Sequence, residues 1–308
     1  MGELRAADRT PPPGPIDVGA ILADRNPSLH RRLTRLGVWL LRDAIHERKL
    51  NAAVAVLSGT SPGEFADTVL RHLRVSVRTE GLEHLRAARR PVVCANHPTG
   101  AIEGLALIEA LWRNRGVCRV PANDLLCLIA PLAPIIVPVR HGSLSRASAR
   151  EFVRAFADDE PLLTFPAGVT ARERGGRLRE YPWRASFVTR ARATGRDLLP
   201  AAVSGRNSRT FYAIHRLRRL FGVSLNIEMA LLVDEMLRRR GDTVVVRFLP
   251  PHRLRDDRQG GPDGDERHDG PTGDNRHGGR AGDERLARQI QRDVEQTAAN
   301  LDNRRRQR

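Results

Sequence analysis

The chain has 308 residues, 40% of them apolar, and its 52 basic residues exceed its 36 acidic residues to give a net charge of +16. This length and apolar content exclude a wholly disordered protein, and the charge predicts an anionic partner. The three cysteines form no Cys-x-x-Cys pair, which excludes a disulfide framework and a structural zinc site and favours a reducing compartment. The start of the chain lacks the apolar stretch of a secretory signal. The longest apolar run, 125–139, is broken by three prolines and is too short for an ordinary transmembrane helix.

Residues 1–74 are predicted to form an N-terminal helical region. Between Leu33 and Ala44, leucines recur at helical spacing and arginines flank them on the other side. An amphipathic basic helix of this kind either packs on the core or lies on a membrane surface, and we favour packing on the core. A second helix is predicted from Ser61 to about Leu73, because Ser61-Pro62-Gly63-Glu64 has the form of a capping box.

Residues 75–253 are predicted to form one α/β domain, because short β-branched runs alternate there with helical patterns. The predicted strands are Val75–Val77, Pro91–Ala95, Val117–Val120, Ile135–Val139, Leu162–Phe165, Leu198–Val203 and Thr243–Phe248. The predicted helices are Gly100–Arg113, Leu144–Ala157, Trp183–Thr194, Arg209–Phe221 and Glu228–Arg239. Chemically active side chains are therefore expected on the loops that leave the strands.

Residues 254–308 are predicted to be a disordered tail that ends in a short helix. From Asp256 to Asp283 the chain is mainly Gly, Asp, Arg, His and Pro, so burial cannot offset the entropy of ordering it. Leu286, Ile290 and Val294 then recur at helical spacing, which predicts a charged helix from Glu284 to Leu301.

The strongest local signal is Val92-Val93-Cys94-Ala95-Asn96-His97-Pro98-Thr99-Gly100-Ala101-Ile102-Glu103-Gly104, an apolar strand that runs into a turn and a helix. Proline suits the first position of a helix, which predicts His97 in the N-cap region and Glu103 in the second turn. A carboxylate that pairs with one imidazole nitrogen makes the other more basic, as a general base requires. The simpler interpretation of a lone histidine is a helix cap.

This segment resembles the lysophospholipid and glycerol-phosphate acyltransferases, whose mark is Asn-His followed by an acid. The six steps from His97 to Glu103 resemble the His-Pro-x-Gly-x-x-Asp/Glu-Gly variant of the hemolysin-like, ornithine-lipid branch, with Glu in place of the commoner Asp. The resemblance implies a twisted mixed sheet flanked by helices, with the N-terminal helices packed on the catalytic domain. It also implies His97 and Glu103 as the catalytic pair.

Three further blocks follow in the order of that family. Asn123-Asp124-Leu125-Leu126 leads to Ile136-Val137-Pro138-Val139-Arg140, Thr164-Phe165-Pro166-Ala167-Gly168 leads to Arg172, and Leu199-Pro200 opens the fourth. Ala167 stands where the family commonly has glutamate. Each block alone reads equally well as a plain strand or turn. The resemblance implies these substrate-binding residues: Asn96, Thr99, Gly100, Arg140, Phe165, Pro166, Gly168 and Arg172.

The implied reaction moves a fatty acyl group from acyl-coenzyme A or acyl-carrier protein to a hydroxyl of a lysolipid or glycerol-phosphate acceptor, with no metal or other cofactor. Backbone N–H groups around Gly168 or the start of the Gly100 helix are expected to stabilise the oxyanion. The arginines between Arg172 and Arg196 are expected to face an anionic bilayer, which predicts a peripheral protein on the cytoplasmic face of the cell membrane.

Two other classes of protein stay open at this point. The charge also fits a non-catalytic basic protein that binds membrane or nucleic acid, although aromatic residues make up only 4% of the chain and no nucleic-acid motif is present, so specific nucleic-acid binding is not expected. A serine hydrolase would need a Gly-x-Ser-x-Gly elbow, which the sequence lacks.

Overall fold

The computed structural model describes residues 14–139, 146–174, 177–220, 231–254 and 278–306. Five helices precede the first strand, and side-chain caps or prolines fix several of their starts, including the predicted Ser61–Glu64 capping box. They are α1 (Val18–Arg25), α2 (Pro27–Arg32), α3 (Arg35–Ala44), α4 (Glu47–Val56) and α5 (Pro62–His72). Helix α5 packs into the core, where Gly63 lies so close to the Trp112 ring that a Cβ there would clash with it.

Helix α3 does not pack on the core, so the interpretation favoured above is wrong. None of its residues is buried, and Leu36, Trp39 and Leu40 are 64%, 59% and 53% exposed. These three positions share one helix face by their i, i+3 and i+4 spacing. The amphipathic pattern was interpreted correctly as a helix, but Leu36, Trp39 and Leu40 stay exposed in the described structure.

The central sheet has five strands in the order β1-β9-β8-β2-β5. They are β1 (Ser76–Glu80), β2 (Val92–Ala95), β5 (Leu162–Thr164), β8 (Leu198–Val203) and β9 (Thr243–Phe248). Strand β2 runs parallel to both β5 and β8, β9 runs antiparallel to β8, and β1 runs parallel to β9. The predicted mixed α/β fold is therefore confirmed, and β8 and β9 match the predicted strands residue for residue.

Helices cover both faces of this sheet and enclose two apolar cores. One core contains Val93 and Leu199 with residues of α5, α6 (Leu82–Ala87) and α7 (Ile102–Arg115). The other contains Val92 and Leu198 with residues of α8 (Arg146–Ala157), α9 (Ser186–Ala193) and the C-terminal helix. Neighbouring residues of one strand thus enter opposite cores, as the alternation of a strand requires.

The C-terminal helix, which we number α12, runs from Gly278 to Arg306 and is longer than predicted. Its apolar side is fully part of the second core, since Ile290 and Val294 are 0% exposed. Most of the segment predicted as disordered, Asp256 to Asp283, lies outside the described residues, but its last six positions belong to this helix. The predicted helical spacing was correct, and the helix is a packed element of the fold.

Two small strand pairs, a 3-10 helix (Asp124–Leu128) and two further α-helices complete the described chain. Strands β3 (Val120–Asn123) and β4 (Ile136–Val139) run parallel, and β6 (Arg172–Arg174) and β7 (Arg177–Arg179) form an antiparallel pair that the sequence analysis missed. A strand was predicted at Val117–Val120, whereas β3 begins only at Val120. Arg119, the residue before it, makes just an isolated bridge to Leu162 of β5. The helices are α10 (Arg209–Leu220) and α11 (Leu232–Arg238). Within the described ranges, no helix combines the length and the apolar character that crossing a bilayer requires.

Candidate active site

The site forms where three parallel strands end side by side. Strands β5, β2 and β8 are neighbours and run in the same direction, so their carboxyl ends meet at one edge of the sheet. His97 follows β2, Phe165 follows β5 and Gly205 follows β8. The edge beyond the carboxyl ends of strands is where open α/β sheets bind their ligands.

Asn96 fixes the loop that carries the histidine. Its side chain is buried, donates from Nδ2 to the backbone oxygen of Val203 at 2.8 Å and accepts at Oδ1 from the Val203 N–H at 2.7 Å. This pair of hydrogen bonds continues the β2–β8 ladder past the last strand residue. The structure thus places Asn96 between two strands, as a support for His97.

His97 and Glu103, the predicted catalytic pair, lie together. Nδ1 of His97 is 2.9 Å from Oε1 of Glu103, at ion-pair distance, although the ring N–H is not in line for an ideal hydrogen bond. The Glu103 side chain is 1% exposed and that of His97 is 20% exposed. The carboxylate is therefore enclosed. The ring is half-buried, and Nε2 is its nitrogen that does not face Glu103.

The surroundings of Glu103 keep it ionised. Its Oε1 accepts the backbone N–H groups of Thr99 at 2.8 Å and Gly100 at 2.7 Å, and its Oε2 accepts the Thr99 hydroxyl. Burial alone raises the pKa of this carboxyl, but the charge of His97 and hydrogen bonds from His97, Thr99 and Gly100 outweigh it and lower the pKa to about 2. At neutral pH an ionised carboxylate therefore stands beside the imidazole.

These contacts also explain why the predicted helix start is wrong. Helix α7 begins at Ile102, so Pro98 lies in a turn before the helix and Glu103 lies in its first turn. Glu103 binds the N–H groups of the turn and holds it out of the helix. Gly100 has a φ of +95°, and a Cβ there would approach Leu232 and Thr170 to 2.8 Å, so this position needs glycine.

The predicted third block packs against His97. The Phe165 ring lies on the His97 ring with centroids 4.4 Å apart. After it, Pro166 and Gly168 make a tight turn in which the Gly168 N–H donates to the Phe165 oxygen at 2.9 Å. This N–H and that of Gly100 were the expected oxyanion donors, and in this structure each already donates within the protein.

Of the two arginines predicted to bind substrate, Arg140 and Arg172, the structure describes only Arg172. Arg172 is buried, donates to the backbone oxygen of Thr170 at 2.8 Å and lies over the Phe211 ring. Arg140, with residues 141–145, lies outside the described residues.

Not all of the 172–196 arginines face the surface, so that expectation is wrong in part. Arg196 is 0% exposed and donates to backbone oxygens that include those of Phe156 and Glu160. Arg192 pairs with Asp283 of helix α12 at 3.1 Å. In both cases the arginine joins segments of the fold.

Sequence reasoning missed Glu180, which holds the main chain of the loop that carries His97. This buried carboxylate accepts the backbone N–H of His97 and, at 2.6 Å, the indole N–H of Trp183. Burial raises the pKa of Glu180 to about 7, against the lowering effect of these two donors. The only signal in the sequence was an isolated acid within an arginine-rich stretch, and its partner lies 83 positions away.

Known proteins resemble this chain in sequence and in structure. The acyltransferase family profile matches residues 20–266. The lyso-glycine lipid O-acyltransferase of Phocaeicola vulgatus is 32% identical over 238 residues, which cover 77% of this chain and 85% of that protein. A protein of the same name from Bacteroides thetaiotaomicron is 29% identical over 238 residues, covering 77% of this chain and 88% of that protein. The solved 1-acyl-sn-glycerophosphate acyltransferase PlsC of Thermotoga maritima aligns with a TM-score of 0.45 and 14% identity, over 85% of this chain and 95% of that chain. Since the family profile spans most of the sequence and includes the His97–Glu103 segment, the chain belongs to the acyltransferase family.

Proposed function

We propose that this acyltransferase moves a fatty acyl group from an acyl thioester to a hydroxyl of a lysolipid at a membrane surface, with His97 as general base. The observation that carries the proposal is the 2.9 Å pair of His97 and buried Glu103 at the edge of the sheet. The lyso-lipid acceptors in the names of the two bacterial relatives support the substrate class.

The chemistry follows from the two nitrogens of one ring. Nε2 of His97 takes the proton of the acceptor hydroxyl as the oxygen attacks the thioester carbonyl. The imidazolium that forms is stabilised by the Glu103 carboxylate at Nδ1. When the tetrahedral intermediate collapses, the C–S bond breaks and the thiolate leaves with the proton from Nε2. General base catalysis of this kind contributes roughly 10²–10⁴-fold to the rate.

Neither a metal nor a cofactor takes part in this scheme, in which the donor is acyl-coenzyme A or acyl-carrier protein. Both donors fit a protein of net charge +16, because coenzyme A carries phosphates and the carrier protein is acidic. The assay below decides between them.

The exposed face of α3 supports attachment to a membrane. We place Leu36, Trp39 and Leu40 in the interfacial region of the bilayer, where apolar side chains of an amphipathic helix bind. Four exposed arginines lie on or beside this helix and would contact anionic headgroups, each contributing about 1 kcal/mol. They are Arg31, Arg32, Arg35 and Arg48. This attachment is peripheral, and we propose the cytoplasmic leaflet because its lipids are anionic.

The experiment that tests the proposal measures thiol release from long-chain acyl-coenzyme A and acyl-carrier protein with a panel of lysolipids. Wild type is compared with His97→Ala and with His84→Ala, a histidine on α6 outside the site. We expect acceptor-dependent turnover that is lost in the His97 variant and kept in the His84 variant, with equal melting temperatures. Turnover by His97→Ala at the wild-type rate would refute the proposal.

A further inference from the structure

Both backbone groups of His97 are held by the segment that follows the third block. The His97 oxygen accepts the N–H of Ala171 at 2.8 Å, and the His97 N–H donates to Oε1 of Glu180. The other oxygen of this carboxylate, Oε2, accepts the indole N–H of Trp183 at 2.6 Å. One side chain thus joins the main chain of the proposed general base to a buried tryptophan.

The tryptophan is a fixed point of the fold. Trp183 is 5% exposed and packs in the second core, where its ring meets that of Phe187 edge-on with centroids 6.0 Å apart. The backbone N–H of Trp183 donates to the side chain of Gln291 on α12 at 2.9 Å. A group that is bound to Trp183 is therefore bound to the core, and Glu180 anchors His97 in this way.

The two contacts of Glu180 fit an ionised carboxylate. Such a group accepts at both oxygens, whereas an amide accepts at one terminal atom and only donates at the other. A protonated carboxyl likewise carries its proton on one of the two oxygens. With an amide at position 180, either the His97 N–H or the indole N–H of Trp183 would face a donor and lose its partner.

The charge is costly at this position. Glu180 is 8% exposed, and burial raises its pKa to about 7, although the N–H groups of His97 and Trp183 lower it. Of the titratable groups nearby, the charge of His97 lowers this pKa and that of Glu295 on α12 raises it. A neutral amide would avoid the cost of a buried charge. The charge of Glu180 therefore does not serve stability, which points to a role in the reaction.

We propose that Glu180 is a positioning residue for acyl transfer, whose two ionised oxygens fix the main chain of His97 against Trp183 and so aim Nε2 at the acceptor hydroxyl. This role rests on the proposed function, in which Nε2 takes the proton of that hydroxyl. Glu103 supplies the charge beside the ring, and Glu180 sets the position of the residue that carries the ring. A displacement of a reacting group by about 1 Å can cost about 10²-fold in rate.

The kinetic test compares kcat and KM for thiol release in wild type, Glu180→Gln, Trp183→Phe and the double variant. The amide of Glu180→Gln has one acceptor for two N–H groups, so we expect kcat to fall about 10- to 100-fold while KM for both substrates stays unchanged. Trp183→Phe removes the competing donor, so in the double variant the amide oxygen accepts from His97 alone. We expect the kcat of the double variant to recover to that of Trp183→Phe.

The double variant separates positioning from loss of stability. Removing a buried indole can only add to a loss of stability, so recovery of kcat requires the restored contact with His97. Glu83→Gln makes the same change at an exposed acid of α6 and should keep the wild-type kcat. A wild-type kcat in Glu180→Gln, a rise in KM in place of the fall in kcat, or a double variant no faster than Glu180→Gln would each overturn the proposal.

His97→Ala, measured in the same assay, separates this role from the proposed function. If His97→Ala keeps the wild-type turnover, the proposed function itself fails. If His97→Ala loses turnover and Glu180→Gln keeps it, only the positioning role is refuted.

A spectroscopic measurement follows the contact between Glu180 and Trp183 without turnover. In the full chain labelled with ¹⁵N-tryptophan, the indole resonance of Trp183 is the one that disappears in Trp183→Phe. We expect its ¹H shift to change with pH around a midpoint of about 7 in wild type, as Glu180 gains its proton, and to stay constant in Glu180→Gln. A shift that is constant in wild type, or that titrates equally in both proteins, would mean that the ionised carboxylate does not hold the indole and would overturn the proposal.

Discussion

Replacing Glu103 by glutamine removes the charge beside His97 while it keeps the shape of the site. Oε1 of the amide can still accept the N–H groups of Thr99 and Gly100, which now lie 2.8 and 2.7 Å away. The amide nitrogen would face the Thr99 hydroxyl, which can turn to accept from it. We therefore expect the variant to keep its fold and to lose the group that stabilises the imidazolium in the proposed mechanism.

The size of the loss follows from the distance. At 2.9 Å and an effective dielectric constant of about 20, the attraction between imidazolium and carboxylate is about 6 kcal/mol, which is an upper limit. A hydrogen bond to a charged group contributes about 1.5–3 kcal/mol net, and the carboxylate also orients the ring. We expect kcat/KM to fall roughly 10²–10⁴-fold, or about 3–5 kcal/mol at 1.36 kcal/mol per tenfold change.

The assay compares kcat/KM for thiol release and the melting temperature of wild type, Glu103→Gln and Glu103→Ala. The alanine variant leaves two buried N–H groups without an acceptor, at about 1–3 kcal/mol each, so it should lose stability as well as activity. A glutamine variant that folds normally and stays within tenfold of the wild-type kcat/KM would refute the role given to Glu103.

Three further predictions concern stability and membrane binding. The pKa of Glu180 is about 7 in the folded chain against 4.5 as its ordinary value, so its contribution to stability is complete below pH 4.5 and is lost as the pH rises through 7. The free energy of unfolding of Glu180→Gln should therefore rise by up to about 3 kcal/mol relative to that of wild type between pH 4.5 and 8. Denaturant unfolding at each pH measures this difference. Trp39→Ser should weaken binding to anionic vesicles, measured by sedimentation, about tenfold, since burial of a large apolar side chain contributes about 1.5–3 kcal/mol to the free energy of binding. Val153→Ser, at an exposed valine on α8, should leave vesicle binding unchanged. Ile290→Ala should lower the free energy of unfolding by about 2–5 kcal/mol, because this side chain of α12 is 0% exposed.

Each of these three measurements has an outcome that contradicts its reasoning. A stability difference between Glu180→Gln and wild type that does not change with pH would mean that this carboxyl does not titrate in the folded chain near pH 7. Equal vesicle binding by the tryptophan and valine variants would remove α3 from the membrane surface. An unchanged free energy of unfolding for the isoleucine variant would mean that α12 is not part of the cooperative fold.

The sequence was sufficient for the features that depend on local patterns. The alternation of apolar runs and helical spacing located the sheet strands, and β8 and β9 were predicted with their bounds. His97 and Glu103 are only six positions apart in the sequence, so their contact could also be predicted from a local pattern. Local patterns failed at Pro98, because the helix start is set by which N–H groups Glu103 binds and not by the preference of proline.

The remaining features depend on contacts between distant segments. An amphipathic pattern shows that α3 has an apolar face but not what covers it. The sequence of a charged helix such as α12 likewise does not show whether its apolar side chains are packed or solvated. Arg196 stands in a run of arginines, yet the backbone oxygens of Arg90, Phe156 and Glu160, from two other parts of the chain, accept from it. Composition records the charge of such a side chain and contains no information on its partners.

His97, the proposed general base, is held by residues that lie far from it in sequence. Its side chain faces Glu103, its backbone oxygen accepts from Ala171 at 2.8 Å and its backbone N–H donates to Glu180. Helix α12 in turn holds the segment around Glu180. The side chain of Gln291 accepts the backbone N–H of Trp183 at 2.9 Å and donates to the backbone oxygen of Tyr181 at 3.2 Å. A histidine anchored on three sides has its ring direction fixed before substrate binds, which lowers the cost of reaching the transition state. The last helix is thus a supporting element of the active site as well as of the core.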